Sequence, residues 1–60
     1  MKFHDIMAYY DYNMSAIARS LNVSRQLVYK WKNGEKIPFH FQCTLEKLTD
    51  RVLIAKKEDN

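Results

Sequence analysis

Sixty residues, a single cysteine (Cys43) and a formal charge of +3 bound what this chain can be. A chain of that length buries only about 60% of its unfolded surface, in one small core with no room for a deep catalytic cleft. A lone thiol excludes an internal disulfide, and a composition that is 47% hydrophobic and 13% aromatic is globular rather than disordered.

The mildly basic balance admits a polyanionic partner without requiring one. No apolar run approaches the length of a membrane span, and no basic-then-apolar opening marks a signal peptide, so a cytoplasmic protein is expected. Only one glycine (Gly34) and one proline (Pro38) punctuate the chain. Few positions therefore suit hairpin turns, and the expected class is all-α, with four to five short helices.

Phe3, Ile6, Met7 and Tyr10 recur at helical spacing and predict a first helix over 3–10. Tyr10 is expected to pack inward, with Tyr9 and Tyr12 capping the helix end. Asn13 can cap a second helix, whose buried face is Ile17, Ala18 and Leu21. Asn22 tolerates the left-handed backbone that stops a helix abruptly. Ser24 then caps a third helix with Leu27, Val28 and Trp31 inward, closed by Asn33 and Gly34. Pro38 suits the first turn of a fourth helix, striped by Phe41, Leu45, Leu48 and Val52. The run Val52-Leu53-Ile54 can extend that helix, form a short strand or cover a partner. Three consecutive apolar residues on a small domain point to a dimer contact. One domain over 1–55 and a solvated, disordered tail over 56–60 complete the expected layout.

The spacing within residues 14–31 is more specific than two adjacent helices. Counting from Met14, apolar residues fill the fourth, eighth, tenth, fifteenth and eighteenth places as Ile17, Leu21, Val23, Val28 and Trp31. The fifth place, where two crossing helices leave little room, holds Ala18. The ninth, where the turn needs positive φ, holds Asn22. This pattern resembles the helix-turn-helix of phage and bacterial repressors, which usually carry glycine at that turn. Together with Trp31-Lys-Asn-Gly34, Ile37-Pro38 and Leu45-Glu46-Lys-Leu48-Thr49, it resembles the small Cro-type repressors of the lambda-repressor-like family over roughly residues 3–50. The resemblance implies a transcriptional repressor that binds a pseudo-palindromic operator as a homodimer and blocks RNA polymerase.

A third helix anchored by Leu27, Val28 and Trp31 must turn Arg25, Gln26, Tyr29 and Lys30 outward. In a helix-turn-helix that face enters the major groove, where base pairs differ in their donors and acceptors. Arg25 can pair with guanine O6 and N7, and Gln26 with adenine N6 and N7. Tyr29 offers a hydroxyl and a ring face for a thymine methyl, and Lys30 can read guanine or bind phosphate. The expected phosphate contacts are Asn13, Ser15, Ser24, Lys32, Asn33, Lys36 and His40, with Gln42 also in reach of the DNA backbone.

Other chemistry has little support. Trp31 reads as core rather than a stacking platform, and Cys43 as a buried or half-buried thiol. His4 and His40 lie far apart in the chain, so no metal or cofactor is expected. Ser20, His40 and Asp50 have nothing to orient them as a catalytic set, and no enzyme activity is expected. The alternatives are another DNA-binding role (activator, excision factor or antitoxin) or a helical adaptor that binds protein.

Overall fold

The computed structural model describes residues 1–57, all-helical and without strands over that range. Its elements are α1 (Phe3–Tyr9), α2 (Met14–Leu21), α3 (Arg25–Lys32) and α4 (Phe39–Leu48). The expected all-α class is what the chain adopts, as four short helices. No helix of the described residues is long and apolar enough to cross a membrane.

Each boundary has a local cause. The Asn13 side chain accepts the Ala16 N–H at 3.1 Å and the Ser24 hydroxyl accepts the Leu27 N–H at 3.2 Å, so both predicted N-caps form. Asn22 sits at φ 56°, ψ 46°, the left-handed geometry expected of it. Its neighbour Val23 donates its N–H back to the Ala18 carbonyl at 3.0 Å, which turns the chain sharply out of α2. Gly34 takes φ 106° after α3, and its N–H bonds the Trp31 carbonyl at 3.1 Å. α1 ends one residue earlier than its apolar spacing suggests. Asp11 and Tyr12 both turn left-handed, and Tyr12 donates to the Met7 carbonyl at 2.7 Å.

The core joins Ile6 of α1, Ile17, Ala18 and Leu21 of α2, Val28 and Trp31 of α3 and Leu45 of α4, with Met1, Ile37 and Leu53 sealing its edges. Tyr10 and Leu27 pack against its rim, half-buried, while Tyr9 and Tyr12 stay exposed. The Trp31 and Phe41 rings meet at a centroid distance of 5.4 Å, which ties the end of α3 to the start of α4. Trp31 is therefore core, as its place in the pattern requires.

The fourth helix departs from expectation. Pro38 precedes it as N-cap in extended geometry rather than lying in its first turn, so α4 opens at Phe39. Leu48 and Val52 do not line its buried stripe. Both are exposed, and the inward places go to Gln42 and Thr49, each at most 2% accessible. The reason is hydrogen bonding. Thr49 Oγ1 donates to the Leu45 carbonyl at 2.7 Å and accepts the Leu53 N–H at 3.0 Å. Gln42 Nε2 donates to the Ile37 carbonyl, while its Oε1 accepts from the Met1 amino nitrogen and the Lys56 N–H, all at 3.0 Å. Glu46 Oε1 takes the Ala55 N–H at 2.9 Å.

Three polar side chains one turn apart thus receive a returning segment, and no helix carries Val52 onward. Asp50 and Arg51 make the reversal with φ 52° and 67°. Buried polar groups are tolerated only when partnered, and every buried side-chain polar atom among the described residues is. Lys56, expected in the tail, is held by its backbone. Lys57, also expected in the tail, has its Nζ 5.2 Å from the centroid of the Phe39 ring. Residues 58–60 lie outside the described residues.

Candidate nucleic-acid interface

α2 and α3 form a two-helix unit joined through Asn22, Val23 and Ser24. Ala18, 5% accessible, lies on the buried face of α2 within the core that includes Val28 and Trp31 of α3, where a larger side chain would have little room. Placing residues at about 100° intervals around α3 puts Val28 and Trp31 on one side, with Leu27 at their flank. Arg25, Gln26, Tyr29 and Lys30 then occupy a continuous arc of about 140° on the other side. All four are exposed in the structure. Among the described residues none of the four forms a side-chain hydrogen bond or ion pair.

The surroundings favour anions. From residue 12 to residue 34 the chain carries Arg19, Arg25, Lys30 and Lys32 and no acidic residue; all seven acidic residues fall outside that stretch. The net positive charge is therefore concentrated on the α2–α3 unit, a sharper electrostatic signal than the whole-chain sum. Lys30 and Lys32 also lie in the last turn of α3, where they complement the helix dipole, so part of their value is structural.

The residues expected to hold phosphate divide by what else they do. Asn13 spends its side-chain oxygen on the α2 cap, and among the described residues its amide N–H2 makes no hydrogen bond. Ser15 is half-buried in the first turn of α2. The Ser24 hydroxyl accepts at the α3 cap, which leaves its own proton to donate. Lys32 and Asn33, at the end of α3, and Lys36 in the following loop are exposed. Exposed His40 has its ring 4.1 Å from that of Phe41. Gln42 is a correction. It is fully buried with its amide committed to Met1, Ile37 and Lys56, so it cannot reach a DNA backbone. Its position three residues before Leu45, on the buried stripe, carried the signal.

One contact on the outer face escapes sequence reasoning aimed at single residues. Lys32 Nζ lies 5.7 Å from the centroid of the Tyr29 ring, within cation–π range. The signal for it was an aromatic and a lysine three positions apart on one helix.

Among the described residues no cluster of three or more His, Cys, Asp or Glu side chains could hold a metal ion. Cys43 is half-buried and unpaired. Comparison with protein-family models, curated proteins and solved structures finds no match.

Proposed function

We propose that this protein is a sequence-specific, double-stranded DNA-binding transcriptional regulator of the Cro-type repressor kind, working in a bacterial cytoplasm without cofactor or catalysis. One observation carries the reading. A helix fixed by Val28 and Trp31, entered through the left-handed Asn22 turn, presents Arg25, Gln26, Tyr29 and Lys30 together, within a stretch of chain (residues 12–34) that carries no acidic residue. Major-groove readout asks for that combination of rigidity and donors. Asn13, Ser15, Ser24, Lys32, Asn33, Lys36 and His40 would set the register on phosphates.

A single module of this size offers about four base-reading side chains, so a second copy on a symmetric half-site, about 34–36 Å away, is part of the reading. Leu48, Val52 and Ile54, exposed at 53%, 66% and 38%, are the apolar residues offered for that homodimer contact. The deciding experiment selects bound duplexes from a random pool and measures affinity against salt. The expected result is a two-fold symmetric consensus and log K falling with log[salt] at a slope of about −0.9 per phosphate neutralised. A protein-binding adaptor would give no consensus and no such slope.

A further inference from the structure

We propose that Lys32 is a positioning residue for Tyr29: its ammonium holds the phenol ring on the reading face and thereby sets the base preference at the position Tyr29 contacts. The inference rests on the DNA-binding reading above and goes beyond a phosphate role for Lys32.

The geometry is local and complete. Tyr29 and Lys32 are three residues apart on α3, where side chains on one face meet, and Lys32 Nζ lies 5.7 Å from the ring centroid. Both residues are exposed, Tyr29 at 46%, and neither belongs to the buried core or to the side chains packed against it. Among the described residues no carboxylate pairs with Lys32. Among the described residues the ion pair is Arg51 Nε with Glu46 Oε2 at 3.7 Å, on α4 and the turn after it. An exposed tyrosine with no other contact would divide its time between rotamers. A cation over one face favours one of them, so the opposite face and the hydroxyl meet the base already oriented. Less ordering is then left for the bound state, and a base pair that suits the held orientation gains over one that needs another. Cation–π pairs at exposed sites correspond to roughly a two- to fivefold change in an equilibrium. That is the size of effect expected in the ratio of affinities for the preferred and next-best base pair.

The test compares wild type, Lys32→Gln, Lys32→Arg, Tyr29→Ala and the Tyr29→Ala/Lys32→Gln double variant. Each is titrated against four duplexes differing only at the base pair whose preference Tyr29→Ala relaxes. Lys32→Gln is expected to weaken binding to all four, and also to shrink the preference about two- to fivefold. Lys32→Arg, which retains a cation for the ring, should keep the preference. In the Tyr29→Ala background Lys32→Gln should change affinity uniformly and leave the ratios alone. In the free protein, the Lys32 ε-methylene protons should show an upfield ring-current shift that disappears in Tyr29→Ala. A uniform loss of affinity in Lys32→Gln with every ratio unchanged, or no ring-current shift in wild type, overturns the positioning role while leaving DNA reading intact. A wild-type protein that prefers no duplex overturns both.

Discussion

At the scale of single residues, place on the fold separates two kinds of basic side chain that composition alone merges. Arg25 stands in the exposed arc of α3 and Lys36 in the loop beyond it, neither with a side-chain hydrogen bond or ion pair among the described residues. Arg25→Ala is expected to leave thermal stability nearly unchanged and to relax preference at one base pair, costing about 1–3 kcal/mol of discrimination there. Lys36→Ala should weaken every duplex alike and flatten the salt slope by about 0.9. Titrations over several sequences and salt concentrations separate the two, and equal losses on all duplexes from both would sink the division between reading and positioning. Gln42 is the residue whose type misleads. A glutamine is ordinarily a surface side chain, yet this one accepts from two backbone nitrogens far apart in sequence and donates to a carbonyl. Gln42→Leu preserves the volume and removes that acceptor. Urea denaturation should register a loss of about 1–3 kcal/mol, the cost of a buried polar group deprived of its partner.

Among the elements, α2 and α3 were legible in the sequence because three independent signals agree for each: apolar spacing, an oxygen-bearing cap before the first turn, and a stop residue after the last. Asn22 tests the stop. A β-branched residue in left-handed geometry is strained, so Asn22→Val should destabilise the domain by about 1–2 kcal/mol, whereas Asn22→Gly should be nearly neutral or better. Chemical denaturation of both variants checks the sign. α4 was legible at Leu45 and not beyond it. Leu48 and Val52 keep helical spacing with Leu45, and periodicity counts them inward. What overrides it is a set of side-chain acceptors at Gln42, Glu46 and Thr49 that captures backbone N–H groups of residues 53, 55 and 56. Such capture depends on tertiary placement and leaves no periodic trace. The donor face of α3 was legible in full, because burying Val28 and Trp31 determines where the remaining side chains go.

Over the whole molecule, a small core makes folding sensitive to any central change. Val28 is fully buried where α2 and α3 meet, so Val28→Asp would bury an unpaired charge and should abolish the cooperative thermal transition. On the proposed homodimer reading, exposed apolar residues act on assembly instead. Val52→Lys is expected to leave the folded monomer intact, because the side chain is 66% accessible. It should nevertheless lower affinity for a two-half-site operator, with little change for a single half-site. Sedimentation alongside binding to both duplexes distinguishes that outcome from simple misfolding.

The Met1 nitrogen lies 3.5 Å from the Lys56 carbonyl, with one glutamine bridging both strands of chain. Over residues 1–56 the path of the chain thus returns almost to its starting point. A short peptide spliced between those neighbours, with a new opening cut in the exposed loop at 35–36, would reorder the helices along the polypeptide and leave the Asn13 and Ser24 caps and the Asn22 turn in place.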